Sequence, residues 1–237
     1  MRTTTPARRS LLLLLLAALC LALSACAVPT HITLVPGRTA PPPATPEARA
    51  TVLLHPFAEG FTPDASIGSH QHAGNRQTSL QVRRGAVGQA LDGLLHRELA
   101  ARNIVAASDG SRWDLSPEGL AAFAAPARLL LTGRITALRI NADETVTTGK
   151  ARAEMDVECV LGLVQEQKVI RRSVHVAQEM VTFSINRQKL EKLLNDCLIT
   201  ASKEILAQYG ELVAAPAMPP DPSRNLTANE AERSAKR

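Results

Sequence analysis

Two periods of apolar positions run through the chain beyond residue 50. Val87, Ala90, Leu91, Leu94, Leu95 and Leu99 recur every three or four residues. That spacing puts them on one stripe and predicts an amphipathic helix. A second stripe, Leu190, Leu193, Leu194, Cys197, Leu198, Ala201 and Ile205, predicts a helix over 186–209 capped by Gly210. Between them the period falls to two. Ala151, Ala153, Met155, Val157, Cys159, Leu161 and Leu163 alternate with Arg152, Glu154, Asp156 and Glu158. This is a strand with one buried and one wet face. Apolar-rich runs at 129–140 and 169–181 flank it, and such short links imply antiparallel hairpins.

Shorter signals complete the pattern. Residues 50–57 read as a first strand stopped at Pro56, and 60–82 as a long polar loop with an edge strand near 79–82. Asn103 suits a left-handed cap before a short strand at 104–107. Ser116 followed by Pro117 reads as an N-cap and first helical position, opening a brief helix that reaches Ala124. The expected fold is α+β: a mainly antiparallel sheet covered on one face by two helices, in one domain spanning 50–213.

The first 25 residues follow another logic. Arg2, Arg8 and Arg9 precede an almost unbroken apolar run from Leu11 to Leu23, and then Leu23-Ser24-Ala25-Cys26. A basic start, an apolar core and small residues before a cut are the parts of a secretory signal. The cysteine after the small residues makes the segment resemble the bacterial lipoprotein signal. That resemblance implies cleavage before Cys26, a diacylglycerol on its sulfur and a third acyl chain on its amine. Two or three chains anchor a protein stably where one does not. The alternative is a membrane-spanning anchor over 11–28, at the lower limit of length. Ala27 stands where, in enteric bacteria, an Asp retains lipoproteins in the inner membrane, so the same resemblance points to the outer membrane. Residues 26–49 hold Pro36, Pro41, Pro42, Pro43 and Pro46 and read as a lipidated, extended stalk. Residues 214–237, with four prolines and a polar run, read as a disordered tail.

Composition changes this picture little. Among 237 residues the formal charge is +5, but without Arg2, Arg8 and Arg9 the chain holds 24 basic and 22 acidic residues. The mature domain is near neutral, and no clustered basic face argues for nucleic acid. Aromatics are only 3%, so Leu, Val, Ile and Ala must build the core.

Candidate chemistry is sparse. Cys159 and Cys197 fall on predicted core faces, and an oxidising compartment allows a disulfide between them, with two buried thiols as the alternative. His70 and His72 form an H-x-H pair whose rings would point to one side of a strand, with His55 nearby in sequence. Such a pair could hold zinc or copper, although two histidines in a polar loop are more often simply solvated. No cofactor is expected. There is no nucleophile elbow and no glycine-rich phosphate loop. Glu154, Asp156 and Glu158 share one strand face that could lie beside Arg171, Ser173 and His175 and serve either as a solvated surface or as a docking surface.

Several of these features together resemble the YajG family of bacterial lipoproteins. They are the lipobox, the Ile67-Gly68 pair in the polar loop, the Leu-rich helix before a short strand, and Leu131-Thr132-Gly133-Arg134-Ile135 opening the long hairpins. The layout is similar to periplasmic lipoprotein domains that activate penicillin-binding proteins or build curli pores. Pro126-Ala127-Arg128 departs from the Ala-Asp common in those relatives. The resemblance implies a non-enzymatic module, lipid-anchored and facing the periplasm, that binds an envelope protein or polymer. An auxiliary lipoprotein of a lipid or solute transport system, holding an apolar ligand between sheet and helix, is the alternative.

Overall fold

The computed structural model describes residues 29–34, 51–61, 66–108, 113–121, 123 and 129–210. The signal segment, Cys26, most of the expected stalk and the tail lie outside them. No described helix is long and apolar enough to cross a membrane.

The fold is α+β, built on a curled sheet whose spine is one long strand. In chain order the elements are β1 (Thr30–Ile32), β2 (Thr51–Leu54), β3 (Ala58–Glu59), β4 (Gly68–Gln71), β5 (Gln77–Val82), α1 (Ala86–Ala101), β6 (Val105–Ser108), α2 (Pro117–Leu120), β7 (Leu129–Glu144), β8 (Gly149–Leu163), β9 (Lys168–Thr182) and α3 (Arg187–Gln208). One edge of β7 pairs along its whole length with β8, which pairs with β9, both antiparallel as the short links require. The other edge takes β2, β3 and β4 in turn, all parallel to it. β5 joins β4 antiparallel, β1 lies parallel outside β5, and β6 lies parallel outside β2.

The expectation of a mainly antiparallel sheet is therefore corrected, since five of the eight pairings between described strands are parallel. Adjacent hairpins must be antiparallel, but strands separated by a helix return in the same direction. β2 and β6 lie on either side of α1 in the chain. The polar stretch read as a loop also differs. Its expected strand near 79–82 is present as β5, but it also holds β4, which forms a hairpin with β5; the buried apolar side chains of the pair are Leu80 and Val82, too few to signal two strands. Thr30–Ile32, within the segment expected as a stalk, is an edge strand, and Ile32 and Leu34 are buried.

Both long helices form as their stripes predict. Every predicted position of α1 and α3 is buried, and the two helices pack on each other, with α3 on β8 and β9. Asn186 caps α3 by accepting from Lys189 N at 2.9 Å, and Ser116 caps α2 by accepting from Gly119 N at 2.9 Å. α3 ends at Tyr209 rather than at a glycine cap, and the Tyr209 hydroxyl donates to Cys159 O at 3.1 Å inside the core. The sheet is not covered on one face alone. Trp113, Leu120, Leu130 and Val160 form a second small core on the opposite face. This explains why the alternation of β8 stops at Cys159 and every residue from there to Leu163 is buried.

Candidate functional site

β4 lies alongside the end of β7, with His70 opposite Ala142 and Gln71 opposite Asp143. Side chains two apart on a strand share a face. His70 and His72 therefore lie on the same side, and Glu144, two beyond Ala142, rises beside them. His70 Nε2 is 3.4 Å and His72 Nδ1 is 3.8 Å from Glu144 Oε2. The two rings stand 3.8 Å apart, tilted by 37°.

The three side chains differ in surroundings. His70 is only 5% exposed, whereas the His72 side chain is 35% exposed and opens the cluster to solvent. His72 Nε2 sits 2.9 Å from Thr78 Oγ1 across the hairpin. Glu144 Oε1 accepts from Ile185 N at 3.0 Å, which orients the carboxylate from the start of α3. His70 Nε2 makes no well-formed hydrogen bond among the described residues, and Glu144 Oε2 at 3.4 Å is its ion-pair neighbour. Burial lowers the pKa of His70, and the neighbouring His72 ring lowers it further against the pull of Glu144. Its imidazole is then neutral at neutral pH, with a lone pair able to ligate.

The other sequence candidates are not brought to this cluster. His55 closes β2 at the far end of the spine, where its amide donates to Leu131 O. Leu131 and Ala142 are eleven residues apart on β7, roughly 35 Å at strand spacing. His55 instead packs edge-on to Phe123, ring centres 5.7 Å apart.

The possible Cys159–Cys197 disulfide is corrected: both are buried free thiols. Cys197 Sγ lies over Ala153 O and Val176 O, at 3.9 and 4.0 Å. Ala153 and Cys159 are six residues apart along β8, about 20 Å. A disulfide needs Cα atoms within about 7 Å. Burial pushes both thiols up to about 12, so neither is poised as a nucleophile.

The wet face of β8 and β9 forms as expected. Asp156 opposes His175 and Glu158 opposes Ser173. Arg152 pairs with Glu154 at 2.6 Å and with Glu179 at 2.9 Å, and His175 pairs with Asp156 at 2.6 Å. Charges of both signs neutralise each other there, which is what a solvated sheet face requires.

Glu144 is the residue that sequence reasoning missed. A signal existed: continuing the alternation of β7 past Ile140 and Ala142 puts this carboxylate at an inward position. Its partners are about seventy residues away in sequence, so only strand pairing unites them.

No family model matches the chain, and no curated protein matches it. Among solved structures it is similar in fold to protein XCC0632 of family DUF330 from Xanthomonas campestris, at 14% identity and TM-score 0.46, over 77% of this chain and 94% of that one. It is also similar to protein CT253 from Chlamydia trachomatis, at 14% identity and TM-score 0.46, over 70% and 98%. Lipoprotein GNA1162 from Neisseria meningitidis matches at 12% identity and TM-score 0.34, over 68% and 99%.

Proposed function

We propose that this chain is a lipid-anchored, non-enzymatic binding module of the bacterial cell envelope, held with one end of its sheet against the membrane. The observation that carries the proposal is the place of β1. Pro29 is three residues from Cys26, and a chain spans at most about 3.6 Å per residue. A lipid on Cys26 thus holds the edge of the sheet within roughly 11 Å of the bilayer. The proline-rich segment follows β1 and does not separate it from the lipid.

The direction of β1 supports a choice of which end would face the bilayer. Thr30 pairs with Leu80, Leu80 with Gly68 and Gly68 with Ile140. Moving back from Thr30 toward Cys26 therefore runs along β7 toward Glu144 and the β7–β8 turn. That end carries the exposed large apolar residues of the described chain, Val146 at 86%, Val181 at 69% and Phe183 at 77%. Apolar side chains beside a lipid anchor fit a bilayer interface. The wet face of β8 and β9 is left toward the periplasm for an envelope protein or polymer. By resemblance to the enteric sorting signal, Ala27 supports the outer membrane as the destination.

Cells fed a labelled fatty acid are expected to incorporate the label into the wild-type chain, cut to begin at Cys26, and not into Cys26→Ala. A wild-type chain in the membrane at unprocessed size and without acyl label would mean a spanning anchor and end the lipoprotein reading. The orientation has its own test. A fluorophore placed at Phe183 of the lipidated protein in vesicles should be quenched by brominated lipids, and one at Glu158 should not. Equal quenching at both sites rejects the orientation.

A further inference from the structure

We propose that His70, His72 and Glu144 form a binding site for a divalent transition-metal ion of the zinc and copper class. One donor atom from each of His70, His72 and Glu144 lies within 4.8 Å of the other two, and His70 Nε2 and His72 Nδ1 are the nitrogens that approach Glu144 Oε2. Ligands at about 2.0–2.2 Å from a tetrahedral zinc stand roughly 3.3–3.5 Å from each other. The two separations from Glu144 Oε2, 3.4 and 3.8 Å, already approach that spacing. Small side-chain rotations complete it.

His70 supplies an independent reason. Native interiors rarely leave a buried polar atom without a well-formed hydrogen bond, because its lost hydration is then uncompensated. His70 Nε2 is buried with no well-formed hydrogen bond, only the long 3.4 Å contact to Glu144 Oε2, and it points into the cluster. A metal ion satisfies it. The surrounding contacts are those of a built site. His72 uses its other nitrogen on Thr78, and Glu144 uses its other oxygen on the Ile185 amide. Such outer contacts fix ring tautomer and carboxylate orientation in metal centres. Two imidazoles and one carboxylate suit zinc or copper(II) and are a poor set for magnesium or calcium, which prefer all-oxygen ligands. Three protein ligands with His72 open to solvent leave a fourth position for water.

The site joins β4, the end of β7 and, through Ile185, the segment leading into α3. Binding would tie these three elements together. It does not depend on the lipid anchor.

The test uses the full chain, purified metal-free in detergent. Titration with Zn2+ alone is expected to show one ion per chain with micromolar or tighter affinity, and Mg2+ at the same concentrations none. His72→Ala and Glu144→Gln, both on side chains with solvent access, should each weaken Zn2+ binding at least tenfold. Cu2+ bound to the wild type should show two nitrogen couplings by electron paramagnetic resonance, and one in His72→Ala. No Zn2+ uptake, or uptake unchanged in both variants, overturns the proposal. Because His70→Gln can fail to fold, it serves only as a third variant, read if its circular dichroism matches the wild type.

Discussion

At the scale of single residues, the contacts that hold the fold together come from positions of no obvious chemistry. The N-terminus of α1 begins at Gly85, whose φ of 76° is left-handed and which offers no capping side chain. Glu59 on β3 does this from a distance. Its carboxylate accepts from Gly85 N at 2.8 Å, Val87 N at 2.9 Å and Gly88 N at 3.1 Å. A negative charge there also meets the positive end of the helix dipole. Glu59→Ala should cost about 1–3 kcal/mol, as expected for a charged group bonded to backbone amides. Glu59→Gln, which keeps one acceptor oxygen, should lose less. Urea denaturation of the two variants measures both losses, and equal stability of Glu59→Ala and wild type would show the cap is idle. Gly68 and Gly133 are structural in the same way. A Cβ on Gly68 would lie 1.7 Å from Ile140 O, and one on Gly133 would lie 2.4 Å from the Phe57 ring. They let strands and core approach closely and carry no chemistry.

At the scale of elements, the long helices and the three long strands were legible because each has one dry stripe or face. The parts that escaped the sequence lack that property. β4 and most of β5 are short and largely polar, and β2 and β6, though legible as strands, pair in parallel across a long stretch of sequence. α2 is a third case. Its cap residues are readable, but nothing in them says that Leu120 is fully buried against the second face of the sheet. Leu120→Ala should cost about 2–5 kcal/mol, the usual range for a truncated core leucine. The chain has one tryptophan, Trp113, in the same small core. Its fluorescence should shift to longer wavelength in this variant while far-ultraviolet circular dichroism stays unchanged. An unshifted spectrum would mean that α2 is not what covers that face.

At the scale of the whole molecule, stability is linked to pH through Asp92 on α1. Asp92 is pushed up to about 6 by burial, against the effect of the Phe57 amide that donates to it at 3.2 Å. Its folded pKa lies above the ordinary value of 3.8. Between those two pH values the folded chain holds a proton that the unfolded chain has released. The stabilising contribution is complete below the ordinary value and is lost as pH rises through about 6. Asp92→Asn keeps an acceptor for Phe57 N and cannot ionise. It should be more stable than the wild type at pH 7.5, with the difference shrinking toward pH 4. Melting temperatures of the two proteins across that range decide the matter, and parallel curves would remove Asp92 from the linkage.

The same scale separates what the chain determined from what folding decided. The helices, the long hairpins and the capping residues Ser116 and Asn186 are local patterns, so the sequence by itself determined them. Periodicity records which side of an element is dry, and caps record where it starts. Neither records which distant strand lies alongside. The parallel half of the sheet and the meeting of His70 and His72 with Glu144 depend on pairings along β7, and the covered second face and the separation of Cys159 from Cys197 depend on where α2 and α3 pack on the sheet. Those pairings arise only when the elements bury their apolar faces together, and so only the tertiary structure could decide them.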